Sequence, residues 1–224
     1  MTPTLYLTLQ KISSPDRLSG LTEQLRAAFP APENQAYLQG LWGKDARPAT
    51  ALPRLSALSL LPSLLAAAGI PAASLRLMRD GHGRPYAQGS ADLPPFDFNL
   101  SHSSSYVACG LLVGGGRVGV DVEGAVDPAR AEGLIRRFCT EGERRLLDES
   151  SDAADTFTRI WTVREALGKA EGQGMPLRFD AANPPHGVTL RSAPLPTGGW
   201  LTVCHPSVPT CMEVLPSSLP ISWI

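Results

Sequence analysis

The stretch VGVDVE at 118–123 constrains the fold more than any other in this chain. Strict alternation puts Val118, Val120 and Val122 on one face of a strand and leaves Asp121 and Glu123 together on the other. A strand with one apolar face is half-buried, so the chain must supply a second layer against the valines. The two carboxylates pose the opposite problem. Like charges side by side on a strand repel, unless a cation lies between them. D-x-E alone is short and common, and a solvated sheet face would accept it equally, so a third ligand has to come from elsewhere.

Upstream, FNLSHSSSYVACGLLVGGG leads into this strand. Gly114-Gly115-Gly116 predicts a three-residue hairpin loop, since glycine tolerates positive φ. That register sets Val113 opposite Arg117, Cys109 opposite Asp121 and Val107 opposite Glu123. It also brings the turn with Ser101 and His102 to the acidic end. A hydrolase nucleophile is a poor reading of Ser101-His102, because adjacent turn residues rarely present hydroxyl to imidazole and no G-x-S-x-G surrounds them.

In TFTRIWTVREALGKAEG, Phe157, Trp161, Glu165 and Lys169 recur every four residues and form one helical stripe. An exposed i,i+4 Glu-Lys pair would contribute only a few tenths of a kcal/mol. A pair that prolongs an aromatic stripe is instead expected to border the interior. Gly172-Gln173-Gly174 then ends the helix. Asp121, Glu123 and Glu165 together supply three oxygen ligands for a hard divalent cation, and Mg²⁺ prefers a few carboxylates plus waters and substrate phosphate oxygens. Lys169, one turn beyond Glu165, is aimed as a point charge at the same phosphate.

The rest of the chain frames this group. TLYLTL near the start alternates as a strand, residues 54–69 read as one or two core helices, and SLRLMRD runs as a strand into the turn-rich GHGRPYAQGS. RAEGLIRRF and GERRLLDES read as short helices, and VTLRS and WLTVCHP as closing strands. Strands and helices are interspersed without a βαβ repeat, which predicts an α+β fold. The best seam is GAVDPAR at 124–130, dividing 1–124 from 125–224. Lys+Arg 20 against Asp+Glu 21 gives a net charge of -1, so neither nucleic acid nor a membrane is an expected partner. The start of the chain has no signal-peptide pattern, and the apolar run from Leu55 to Ile70 is interrupted by Pro62. Cys109, Cys139, Cys204 and Cys211 show no CxxC or zinc spacing, so reduced thiols and a cytoplasmic location are expected.

GRP at 83–85, FNLSHS at 98–103, VGVDVE at 118–123, RFCTEGERRLL at 137–147 and WTVREALGKAEGQG at 161–174 occur in one order and spacing. In these segments the chain resembles the 4'-phosphopantetheinyl transferase superfamily, in its monomeric surfactin-synthetase-activating type. The resemblance implies a two-lobed α+β pseudodimer of similar halves, with the active site at their interface. It implies Mg²⁺-dependent transfer of 4'-phosphopantetheine from coenzyme A to a serine of an apo acyl or peptidyl carrier protein, releasing 3',5'-ADP. Residue by residue, it makes Asp121, Glu123 and Glu165 the magnesium ligands and Lys169 the pyrophosphate-binding lysine. Ser101 and His102 become contacts of the coenzyme A 3'-phosphate, and Gly83-Arg84-Pro85 the adenine and 3'-phosphate segment. Glu143 aligns with the glutamate proposed to deprotonate the carrier serine, with Glu141 as a rival two residues earlier. Arg164 stands where the family usually has lysine, and Lys44, Arg47 and Arg54 are the first-half candidates for phosphate. Thr140-x-x-Glu143 is also a capping box, so base and cap are both open for Glu143. The rival functions are a Mg²⁺-dependent coenzyme A pyrophosphohydrolase and a non-catalytic coenzyme A-binding or carrier-docking protein.

Overall fold

The computed structural model describes residues 2–12, 14–42, 47–172, 178–208, 210–215 and 222–223. Lys44, Gln173 and Gly174 lie outside the described residues. In chain order, β1 (Thr4–Lys11) is followed by α1 (Leu18–Ala28), α2 (Pro32–Gly40), α3 (Pro48–Leu58) and α4 (Leu61–Ala67). A small hairpin, β2 (Arg76–Arg79) and β3 (Pro85–Gln88), leads to β4 (Phe96–His102) and β5 (Tyr106–Val113). Then come β6 (Gly119–Gly124), α5 (Pro128–Phe138), α6 (Glu141–Asp148) and α7 (Ala153–Glu171). The last strands are β7 (Val188–Pro194), β8 (Gly199–Pro206) and β9 (Cys211–Val214).

The expected α+β mixture is present, as two separate main sheets. The first runs β4-β5-β1-β9 and the second β6-β8-β7. The glycine loop therefore does not close a hairpin. Gly114, Gly115 and Gly116 all have positive φ, but they carry the chain from one sheet into the other. The physical reason is that β5 has no free edge: β4 pairs along one side and β1 along the other. Cys109 faces Thr8 and Leu100, while Asp121 faces Thr202 and Glu123 faces Trp200 across β8.

The expected faces of 118–123 nonetheless stand, because alternation depends on the strand and not on its partner. Val118, Val120 and Val122 are fully buried with Leu5, Leu7, Leu9, Ala108 and Leu112 of the first sheet, forming the layer between the sheets. The other face meets α7. Gly119 makes that approach possible, since a Cβ there would lie 1.9 Å from the Ala166 carbonyl oxygen and 2.7 Å from Ala170 N.

The segment 48–67 has the length and hydropathy of a membrane span. Here it breaks into α3 and α4, and Leu55, Leu58, Leu61, Leu64 and Leu65 are buried in the core beneath the first sheet. A boundary at Gly124 is also revised by the pairing. β6 precedes it yet belongs to the second sheet, and β9 follows it yet pairs in parallel with β1.

Candidate functional site

The site is built where the edges of the two sheets meet α7. On β4, Asp97, Asn99 and Ser101 alternate toward β6, and each accepts a hydrogen bond from a backbone N–H of the neighbouring sheet. Val118 N donates to Asp97 Oδ2 at 2.8 Å, Val120 N to Asn99 Oδ1 at 2.9 Å, and Val122 N to Ser101 Oγ at 3.2 Å. Side chains of one sheet thus satisfy the backbone edge of the other, which would otherwise leave buried donors unpaired. The carbonyls of that edge are met similarly, Val118 O by Arg84 Nη2 at 2.7 Å and Val120 O by Lys169 Nζ at 3.1 Å.

Asp121, 3% exposed, sits at the centre. Its Oδ1 accepts from Lys169 Nζ at 2.6 Å and from Ser101 Oγ at 2.9 Å. Its Oδ2 is buried and has no hydrogen-bond partner. Lys169 also donates to Ser101 Oγ at 2.9 Å, so its three N–H groups are all engaged. Glu123 and Glu165 complete the acidic group. Burial first, then the Asp121 charge, pushes the Glu123 carboxyl up to about 7; Lys169 opposes this and Glu165 adds to it. Glu165 is raised by the same two causes in the same order, with Lys169 again opposing.

These residues fit a hard divalent cation in kind: three oxygen donors, mutually repelling, one of them with an orphaned buried oxygen. Among the described residues, no three His, Cys, Asp or Glu side chains are already drawn into a closed ligand cluster. The nearest cationic charge is the Lys169 ammonium.

The pKa shift has a testable sign. A carboxylate whose pKa is raised by folding binds its proton more tightly folded than unfolded, so stability falls as pH climbs from the ordinary glutamate value toward about 7. His205, which is buried and lowered chiefly for that reason, has the opposite sign, costing stability as pH falls below the ordinary histidine value. Relative to Glu123→Gln, the melting temperature of metal-free wild type is therefore expected to decline as pH climbs across the Glu123 window. Equal slopes for the two proteins would show that Glu123 is not desolvated as described.

Three further sequence-derived candidates have surroundings that the sequence did not show. Arg84 is not an open phosphate contact. Its guanidinium is 8% exposed and forms a bidentate pair with Asp97 at 2.9 and 2.7 Å. It also donates to Lys169 O at 2.9 Å and Val118 O, so four of its five N–H groups are spent joining the β2–β3 turn to β4, to the residue before β6 and to α7. Gly83 and Pro85 lie beside it at the turn of the β2–β3 hairpin, where Asp80 Oδ1 accepts from His82 N and Arg84 N.

Glu143 is not placed as a base. It is 0% exposed and completes the capping box with Thr140, accepting from Thr140 N at 2.9 Å. It also accepts from Ala181 N at 2.8 Å and from Arg164 Nε at 2.7 Å, with a second contact to Arg164 Nη2. Its lone pairs are occupied in the interior. The rival Glu141 is an exposed residue paired with Arg145 one turn on.

Third, Ser101 carries a full set of bonds, donating to Asp121 and accepting from Lys169 and Val122 N. His102 remains exposed at the end of β4, and the positive charges of Lys169 and Arg54 reach its ring and help to lower its pKa.

Phe157 and Trp161 do anchor α7 as the stripe predicts, their rings 6.1 Å apart and Trp161 6.3 Å from Phe138. The residues the motifs did not single out are Asp97 and Asn99. Their signal was visible as polar residues at period two through FDFNLS, on a strand that needed a polar edge. A cavity of about 350 Å³ opens beside Arg84, lined also by Tyr86, Phe96, Asp97, Phe98 and Arg117. A groove of about 380 Å³ on the other side of α7, among Leu146, Ile160, Val163 and Leu190, contains no acid or histidine.

With this geometry in place, comparison with known proteins gives a consistent answer. Residues 117–197 match the family model of the 4'-phosphopantetheinyl transferase superfamily. The chain is 30% identical over 109 residues to the 4'-phosphopantetheinyl transferase Sfp of Bacillus subtilis (strain 168), covering 48% of this chain and 46% of that protein. It is 34% identical over 110 residues to the L-aminoadipate-semialdehyde dehydrogenase-phosphopantetheinyl transferase of Schizosaccharomyces pombe, covering 42% and 41%. With the 4'-phosphopantetheinyl transferase gsp of Aneurinibacillus migulanus it shares 28% over 149 residues, covering 64% and 56%. The chain spans about half the length of the curated relatives it matches. The family match runs from β6 through β7 and contains three of the five motifs, VGVDVE, RFCTEGERRLL and WTVREALGKAEGQG; GRP and FNLSHS precede it.

Proposed function

We propose that this chain transfers the 4'-phosphopantetheine group of coenzyme A to a serine of an apo carrier protein. The observation that carries the reading is the buried Asp121 with its orphaned Oδ2, flanked by Glu123, Glu165 and Lys169. The family match over 117–197 contains all four residues.

Asp121, Glu123 and Glu165 would hold Mg²⁺, which when bound there would supply charge neutralisation at the pyrophosphate. The serine oxygen of the carrier forms a bond to the β-phosphorus of coenzyme A. The phosphoanhydride bond breaks, 3',5'-ADP leaves, and the serine proton passes to solvent. Lys169 contributes mainly through its charge, because a direct bond to phosphate requires one of its three donors to leave Ser101, Asp121 or Val120 O. The aromatic cavity beside Arg84 is within the usual size range of ligand sites and suits the adenosine end of the donor. His102, with Arg54 close enough to affect its charge, is the open candidate for the 3'-phosphate. Glu143 stays outside the reaction. We place the chain in the cytoplasm as a monomer; its four cysteines are free thiols, three of them buried.

The test is to incubate the protein with coenzyme A, Mg²⁺ and an apo carrier domain and to weigh the carrier. A mass gain of one phosphopantetheine that disappears with chelator is the expected result. Release of free 4'-phosphopantetheine without a carrier would identify a pyrophosphohydrolase instead. Coenzyme A binding with no turnover on carriers from fatty-acid, polyketide, nonribosomal-peptide and aminoadipate-reducing systems would leave a binding protein.

A further inference from the structure

The Ser101 hydroxyl can make three hydrogen bonds, and the structure shows all three inside the protein. It donates to Asp121 Oδ1 at 2.9 Å and accepts from Lys169 Nζ at 2.9 Å and Val122 N at 3.2 Å. No lone pair or proton is left for an incoming phosphate. The two oxygens of Asp121 differ correspondingly. Oδ1 is held by Ser101 and Lys169, while Oδ2 is buried and unpartnered. Burying a carboxylate oxygen without a partner is unfavourable, so an arrangement that fixes one oxygen and bares the other calls for a ligand at the bare one.

We propose that Ser101 is a positioning residue for a divalent cation, holding Asp121 by Oδ1 so that Oδ2 is presented to the metal, and is not a phosphate contact. This rests on the reading of Asp121 as a metal ligand. Groups that orient a metal ligand through a hydrogen bond typically carry a 10–100-fold share of metal affinity. Ser101 also ties this carboxylate to the first sheet. Its backbone belongs to β4, and its hydroxyl fixes both the Val122 amide and the Asp121 side chain of β6. One hydroxyl therefore bonds both the backbone of β6 and the side chain of the ligand.

The experiment measures Mn²⁺ binding to the protein alone, without coenzyme A or carrier, by electron paramagnetic resonance of the free ion. Mn²⁺ shares the preference of Mg²⁺ for carboxylate oxygens. Wild type should bind one Mn²⁺, and Asp121→Ala should lose it. Ser101→Ala should bind it 10–100-fold more weakly, while the ratio of KM for coenzyme A to that for its 3'-dephospho form changes less than about twofold. Asn99→Ala is the control. It removes the neighbouring bond to β6 without touching Asp121, so it should lower the melting temperature and leave Mn²⁺ affinity unchanged.

Three results would overturn the proposal: unchanged Mn²⁺ affinity in Ser101→Ala, an equal loss in Asn99→Ala, or no Asp121-dependent Mn²⁺ site in wild type. If Ser101→Ala does not fold, Ser101→Cys, a weaker donor in similar volume, is expected to show an intermediate loss and is judged by the same comparison. Because Mn²⁺ is titrated without substrate, failure of carrier loading would count against the transferase reading alone.

Discussion

Glu143→Gln should fold less stably and turn over almost normally per folded molecule. The substitution keeps an oxygen that can accept from Thr140 N, so the cap survives. It removes the negative charge that faces Arg164, whose side chain is 1% exposed. Leaving one member of a buried ion pair without its partner costs roughly 3–5 kcal/mol. For a chain of this size, at about 2–4 °C per kcal/mol, the melting temperature should fall by about 6–20 °C. A general base predicts the reverse: an unchanged melting temperature and turnover down roughly 10²–10⁴-fold. A second variant separates the cases further. Glu143→Gln combined with Arg164→Met has no stranded charge and should regain much of the lost stability. A double variant no more stable than Glu143→Gln would refute the ion-pair account.

Gly119→Ala should disable the site without altering any candidate ligand. A methyl at this position meets the Ala166 carbonyl oxygen at 1.9 Å and Ala170 N at 2.7 Å, both backbone atoms that no rotamer change can remove. α7 must shift by about 1 Å or more to reach ordinary contact distance, and Glu165 and Lys169 move with it. Overpacking of this kind typically costs about 1–3 kcal/mol. Misplacing catalytic groups by about 1 Å can cost 10²-fold in rate. Carrier loading is therefore expected to fall by at least about 10²-fold, with a lowered melting temperature. Trimming Ala166 to glycine should not rescue it, since the clash is with the carbonyl. Wild-type loading by Gly119→Ala would mean that β6 and α7 do not pack as described.

What could be read from the sequence followed the range of the interactions involved. The valine and acid faces of 118–123 and the Phe157–Lys169 stripe are local periodicities, and each survived. The partner of that strand did not, because local alternation carries no information about which edges of β5 are already taken. β4 and β1, the strands that take them, are separated by more than 80 residues. The buried partners of Arg84 and Glu143 were not legible, for one reason. A motif specifies residue type, but whether a charge is spent on a buried partner depends on Asp97 and Arg164, whose proximity only the fold creates. Asp97 and Asn99 escaped notice because they serve the backbone of another sheet, a task without a chemical signature of its own.

The parallel pairing of β9 with β1 has a consequence for biosynthesis. β1 precedes its partner β5 by some 100 residues, and its second edge stays open until 211–214 emerge. An uncovered strand edge is a template for adventitious pairing between chains. Meanwhile β6, β7 and β8 have all been synthesised and can assemble before that edge is closed. The second sheet is in this sense a long excursion enclosed within the first. Until β9 is in place, the first sheet therefore keeps one edge of β1 without its native partner.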